Sequence, residues 1–386
     1  MRKLVLSGKQ IIAGRGSLEE LRNLTFRKAV IVTGGSSMIR TGVIRQARQL
    51  LEQNGCQVTV HSGVKSDPSF EEVSWGVALL KEVQPDAVIA IGGGSAMDCA
   101  KAMLLFYEFP FLNFENVLKI NSRGEIPAER KTALICIPST SGTGSELTRG
   151  CVISDLKHEI KVPIMTDCLR PDLAILDSNL PMTMPSRIAA ETGMDALTHA
   201  MEAYINHNLD EFDEALCSAA IEGILKWLPA SCLQSDPEAR EKVHYYQAMA
   251  GIGFANVGLG MVHGVAHSYG AAFHLSHGLT NAVILPYALR LNRRDKTVAN
   301  KLKALSYRCH CEDIVEAVDT LREQLRIPGC FREVLPEEQF LAKQEQVVEH
   351  AMLGATRVNP VVITKDTMHK FVPLVYYGEE RTGEHA

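Results

Sequence analysis

Runs of β-branched and apolar residues alternate with amphipathic stretches over the first half of the chain. KAVIVT (28–33), QVTV (57–60), AVIAI (87–91) and ALICI (133–137) each end at turn-forming residues and read as strands. Between them, residues 39–53, 70–83 and 97–106 carry apolar side chains at helical spacing. Strands separated by helical segments predict βαβ units and a parallel sheet covered on both faces. Further short strands are predicted at 151–154 and 173–176. The texture changes at 181–186. Beyond it come long helical patterns rich in Ala, Leu, Met and Glu, broken at Ser235-Asp236-Pro237 and Pro336. The chain therefore reads as an α/β domain over residues 1–180 and an all-helical domain over 181–386. Its end, GEERTGEHA from Gly378, reads as polar and frayed.

A length of 386 residues fits this two-domain reading. Hydrophobic residues at 46% and charged residues at 22% place the chain among globular enzymes. A net charge of −5 argues against bulk attraction to nucleic acid or anionic lipid. The ten cysteines show no paired framework, and some, such as Cys136 and Cys151, sit inside apolar runs. That pattern suits reduced, buried thiols in the cytoplasm. Cys309-His310-Cys311 is no metal motif here, because helical neighbours two apart point to different faces. The N-terminus lacks the apolar core of a signal peptide, and no stretch approaches the roughly twenty apolar residues of a membrane span. The expectation is a cytoplasmic protein with no membrane or nucleic-acid partner.

Two glycine-rich segments follow predicted strands. Gly92-Gly93-Gly94-Ser95 opens a helix that continues through Asp98 and Lys101. Glycines let a phosphate approach the backbone, and a helix N-terminus presents free N–H groups to it. The segment IPSTSGTGSE (137–146) supplies hydroxyls and glycines without charge, which suits a pyrophosphate or a nicotinamide ribose. Two such loops at the same edge of a parallel sheet mark the edge where ligands bind.

The second half carries a different chemistry. Asp195 and His199 stand four apart in a helical pattern and share a face. His263, His267, His274 and His277 fall within fifteen residues, and glycine follows both His263 and His277. Imidazoles with a carboxylate suit a divalent first-row metal. Spacing alone leaves the choice among these four histidines open.

Together these segments resemble the iron-containing (group III) alcohol dehydrogenase family. The resemblance rests on GGGSAMDCAK (92–101), IPSTSGTGSELT (137–148), ETGMDALTHAMEAY (191–204) and GLGMVHGVAHSYGAAFHLSHG (258–278), in that order over nearly the whole chain. It implies an N-terminal dinucleotide-binding domain, a helical metal-binding domain (the fold shared with dehydroquinate synthase) and a homodimer or larger homo-oligomer. It assigns the metal, Fe(II) with zinc as an alternative, to Asp195, His199, His263 and His277. His267 would stand beside the nicotinamide and substrate as a non-ligand and proton relay; His274 matches no ligand and reads as structural. Gly93, Gly94, Ser95 and Asp98 would contact the pyrophosphate, and Thr140, Thr143, Thr148 and Lys161 would line the cofactor's path. Ser139 stands where the family often has Thr, which keeps the hydroxyl.

The implied reaction is direct hydride transfer between an alcohol or aldehyde and NAD(P), with the metal polarising the substrate oxygen. NAD-preferring members carry an acid where this chain has Gly34. Gly34, Ser36 and Ser37 leave room for a 2′-phosphate, so NADP(H) is expected over NAD(H). Phe254 and Leu259 would form an apolar wall and Gly150 the open side of a pocket for a short substrate. An alternative gives Arg149 and Arg357 the carboxylate, sulfonate or phosphonate of a small anionic aldehyde. The full Asp/His/His/His set argues against a dehydroquinate synthase or glycerol dehydrogenase assignment, and the intact loops oppose a non-catalytic metal-binding homologue.

Overall fold

The structure is a computed structural model that describes residues 4–378, so the polar end from residue 379 lies outside it. The chain divides at the Met184/Pro185 bond into two compact units.

The first unit contains strands β1 (Gln10–Ala13), β2 (Lys28–Gly34), β3 (Gln57–Val64), β4 (Ala87–Gly92), β5 (Ala133–Pro138), β6 (Gly150–Asp155), β7 (Ile160–Met165) and β8 (Leu173–Leu176). Its helices are α1 (Ser37–Arg40), α2 (Val43–Glu52), α3 (Phe70–Val83), α4 (Gly94–Glu108) and α5 (Val117–Ser122). Six strands form one parallel sheet in the order β1-β8-β5-β4-β2-β3. Alternation along the strands divides the core. Val30, Val32, Val88, Ala90, Leu134 and Cys136 pack with α3 and α4. Their neighbours Ala29, Ile31, Ala87, Ile89, Ile135 and Ile137 pack with α2. Each fully buried Val or Ile contributes on the order of 1.5–3 kcal/mol, which fixes the register of the central strands.

Three local expectations change. The helix predicted over 39–53 is broken at Gly42, whose φ of 82° lies in the left-handed region, leaving α1 and α2 on either side. The strand predicted at 151–154 does not join the main sheet; β6 pairs antiparallel with β7. Strand β1 was not predicted, being four residues of mostly exposed edge.

The second unit is helical: α6 (Ser186–Ile205), α7 (Glu211–Pro229), α8 (Pro237–Val257), α9 (Met261–Phe273), α10 (His277–Asn292), α11 (Lys296–Arg308), α12 (Ile314–Gln324), α13 (Glu337–Ala351) and α14 (Lys365–Tyr377). Helix α6 is its axis. Residues 193–205 are all buried, packed by α7, α8 and α10. Over these residues α6 is buried all round, polar ligands included. Among the described residues one stretch, Glu211–Gln234, is long and apolar enough to cross a membrane, contrary to the sequence expectation; half of its apolar window is buried within the unit.

Candidate functional site

Asp195 and His199 project from adjacent turns of α6, His263 from the first turn of α9, and His277 is the first residue of α10. One ligand atom from each lies within 4.8 Å of the other three. Asp195 Oδ1 is 3.5 Å from His277 Nε2 and 4.0 Å from His263 Nε2. Bonds of about 2.0–2.2 Å to a tetrahedral ion would place neighbouring ligand atoms roughly 3.3–3.6 Å apart, so only small movements are required. Asp195, His199 and His263 are buried, while the His277 side chain keeps 28% of its surface. The His199 ring stacks on Phe254 at 4.3 Å and on His263 at 4.6 Å.

Glycines make this convergence possible. A Cβ at Gly278 would lie 2.4 Å from the Glu191 carbonyl oxygen, and one at Gly264 would lie 1.9 Å from Thr356 Oγ1. Both glycines follow ligand histidines, and their role is close helix packing rather than room beside the imidazoles.

Side chains that sequence reasoning missed surround the cluster. Asn281, one turn after His277, places Nδ2 2.6 Å from Asp195 Oδ1, 3.1 Å from His277 Nε2 and 3.3 Å from His263 Nε2. Acceptor atoms of Asp195, His263 and His277 thus converge on one donor, an arrangement that also suits a cation. Glu202 meets His263 Nδ1 at 2.6 Å, and Glu191 accepts from Ser276, the residue that precedes His277. Glu202 stands seven residues after Asp195, on the same face of α6, and that periodicity was the available signal. His267 lies beside the cluster and outside the ligand set, its ring stacked on His277 at 5.2 Å. His274 is the exposed, left-handed residue that ends α9.

In the first unit, three loops meet at the C-terminal ends of the adjacent strands β2, β4 and β5. A Cβ on Gly93 would touch Thr140 at 3.4 Å, and one on Gly94 would lie 2.7 Å from Thr143 Cγ2. Gly34 approaches Ala96 in the first turn of α4 to 3.7 Å by the same measure. Gly35 adopts φ 52°, and Ser36 and Ser37 are exposed. Ser95 accepts the Asp67 N–H. Thr140 and Thr143 thus lie against the start of α4, where helix-terminal amides and hydroxyls come together.

Asp98 and Thr148 also hold the loop and strand around them together. The Asp98 carboxylate accepts from Ser145 Oγ at 3.0 Å and from Val152 N at 3.0 Å, which ties α4 to the loop and to β6. Asp98 is half-buried, and burial raises its pKa against the pull of Lys101. A carboxylate so placed positions the loop. Thr148 is buried, its carbonyl and hydroxyl both accepting from Lys101. Lys161 pairs with Asp67 at 2.7 Å.

Of the residues expected around the substrate, Phe254 and Leu259 flank the bend between α8 and α9, and both are partly exposed. Gly150 begins β6, and a Cβ there would meet the thioether of Met165. Arg149 faces Asp167 at 3.6 Å, and Arg357 is exposed in the 3-10 turn Gly354–Val358.

Residues 8–178 match the family described as iron-containing alcohol dehydrogenase, and residues 189–374 match the C-terminal family of Fe-containing alcohol dehydrogenases. The chain is 40% identical over 96% of its length, and 97% of the relative's, to an NADPH-dependent butanol dehydrogenase of Clostridium saccharobutylicum. A 1-propanol dehydrogenase of Citrobacter freundii is 34% identical over 94% of this chain and 97% of its own. The solved iron-containing alcohol dehydrogenase of Thermococcus thioreducens superposes with a TM-score of 0.90 at 34% identity, covering 98% of this chain and 100% of that one. The sheet edge, the four-ligand cluster and these likenesses agree, and the chain belongs to the iron-containing alcohol dehydrogenase family.

Proposed function

We propose that this protein interconverts short-chain primary alcohols and their aldehydes with NADP(H), using a divalent cation held by Asp195, His199, His263 and His277. The observation that carries the reading is the buried convergence of one carboxylate and three imidazoles within 4.8 Å. That donor set fits Fe(II) or Zn(II). Such an ion, when bound, supplies Lewis acidity to the substrate oxygen, and the nicotinamide supplies or takes the hydride.

The chain's own residues do the rest. Phe254 buttresses His199 and presents an apolar surface next to the ligands, which excludes water and suits a short alkyl chain. Leu259 and Gly150 are further lining residues in this reading. His267, stacked on His277, holds a titratable imidazole near the reacting oxygen and serves as the proton relay. The amides of Gly93, Gly94 and Ser95 at the start of α4, with Thr140 and Thr143, bind the pyrophosphate. Ser36 and Ser37 offer hydroxyls to a 2′-phosphate where Gly34 provides no competing acid.

The relatives' names, butanol and 1-propanol dehydrogenase, support neutral short-chain substrates. The anionic-aldehyde alternative is not favoured, since Arg149 already has a carboxylate partner in Asp167. A homodimer or larger homo-oligomer in the cytoplasm remains part of the proposal, and light scattering after gel filtration checks the assembly. The functional test is a steady-state screen of C2–C6 alcohols and aldehydes with both cofactors. Butanal with NADPH should rank among the best pairs; a uniform preference for anionic aldehydes or for NADH overturns the assignment.

A further inference from the structure

Helix α9 begins at Met261, and nothing in the helix itself satisfies its first N–H groups. Two side chains from elsewhere do so. Asn359 Oδ1 accepts from Met261 N at 3.1 Å, and Glu202 Oε1 accepts from Val262 N at 2.7 Å. The other oxygen of Glu202 lies 2.6 Å from His263 Nδ1. Glu202 and His263 side chains are each 2% exposed, so no water competes for these bonds. Gly260 is required for the approach, because a Cβ there would stand 2.8 Å from Glu202 Oε1.

A carboxylate between two donors has consequences for the far side of the imidazole. With Oε2 accepting, His263 carries its proton on Nδ1, and the lone pair on Nε2 faces Asp195 and His277. Charge points the same way. A dication opposed by Asp195 alone would leave a net positive charge in a largely buried site, whereas Asp195 and Glu202 together balance it.

We propose that Glu202 is a positioning residue of the metal centre: it fixes the His263 tautomer, orients the ring from the start of α9, and supplies the second negative charge that balances a bound dication. The proposal rests on the four-ligand reading above.

Glu202→Gln tests it with almost no change of shape. The glutamine amide has one oxygen for two donors, so its NH2 must confront either Val262 N–H or His263 Nδ1–H. Facing His263, it selects the tautomer protonated on Nε2, which cannot ligate. Affinity for Co(II) and Zn(II) is measured by chelator competition on the folded full-length protein. The Co(II) d–d spectrum and the melting of the metal-free protein are recorded in parallel. Affinity should fall by roughly 10–100-fold, with an altered Co(II) spectrum. Equal affinity and an unchanged spectrum in Glu202→Gln overturn the role of Glu202. Absence of stoichiometric binding in the parent overturns the four-ligand reading and this proposal with it. An affinity loss fully matched by a lower melting point of the metal-free protein, with an unchanged Co(II) spectrum, assigns Glu202 to helix capping alone and also overturns it. Should Glu202→Gln not fold, 15N spectra of histidine-labelled parent protein decide: His263 protonated on Nδ1 supports the proposal, and protonated on Nε2 refutes it.

Discussion

Lys101 is fully buried, yet its ammonium serves five acceptors: Ser145 O (2.6 Å), Gly150 O (2.8 Å), Ser145 Oγ (3.0 Å), Thr148 O (3.1 Å) and Thr148 Oγ1 (3.3 Å). Ser145 Oγ passes the network on to Asp98. Burial lowers the Lys101 pKa, and Asp98 is among the charges that oppose the shift, while Lys101 in turn opposes the rise at Asp98. Together they clamp the hydroxyl-rich loop proposed to bind the cofactor. Lys101→Met preserves the stem, removes the charge, takes the ammonium donor from Ser145 O, Thr148 O and Gly150 O, and deprives Asp98 of a nearby opposing charge. Leaving buried acceptors without a donor costs on the order of 1–3 kcal/mol each. The double variant Asp98→Asn/Lys101→Met removes the Asp98 charge as well, so it should be more stable than the sum of the single effects implies, by about 1–3 kcal/mol. Urea unfolding of the first unit, followed by Trp75 in a Trp227→Phe background, gives the cycle. Hydrogen exchange locates the effect, which should fall on residues 145–155 and spare β2 and β3. Additive single effects, or a Lys101→Met protein within about 0.5 kcal/mol of the parent with its loop still protected, would refute the clamp.

Two further expectations follow from single sites. Gly34→Asp should shift preference from NADPH towards NADH, read as the ratio of kcat/KM values; because a Cβ at 34 lies 3.2 Å from Val64 O, Gly34→Ala is the control, and a shift of equal size in both variants would implicate the backbone instead of the charge. His244 is buried, and burial lowers its pKa from 6.5 to about 4. A depressed value means that the fold holds the neutral ring, so the stability this contributes is full above pH 6.5 and is lost as pH falls towards 4. The linkage amounts to about 2 kcal/mol between pH 7 and pH 5, and His244→Gln should flatten that slope in urea titrations followed by Trp227; an unchanged slope contradicts it.

Much of this was legible in the sequence because the signals were periodic. The strands 28–33, 87–91 and 133–137 are buried on both faces and appear as continuous apolar runs, so they fell where β2, β4 and β5 lie. Asp195 and His199 announced themselves by a four-residue spacing on one helix. What was not legible depends on contacts remote in sequence. Glu202 acquires its meaning only when α9 is laid against α6, 60 residues later. Asn281 reads as one polar residue in an apolar helix until Asp195 comes within 2.6 Å of it. Asp98 was legible only as part of a glycine-rich motif, and its bonds to Ser145 and Val152 appear only when β6 and the loop before it pack on α4. Strand β7 escaped notice because Pro163 interrupts its run, and only pairing with β6 makes it a strand.

The central claim is that Asp195, His199, His263 and His277 hold a cation on which turnover depends. Elemental analysis of the purified protein, paired with NADPH-driven reduction of butanal before and after exhaustive chelation, tests it most directly. Expected are about one first-row ion per chain, loss of turnover on chelation, recovery on adding Fe(II) or Zn(II), and neither ion nor turnover in His277→Ala. Undiminished turnover in the metal-free protein, or in His277→Ala, would contradict it.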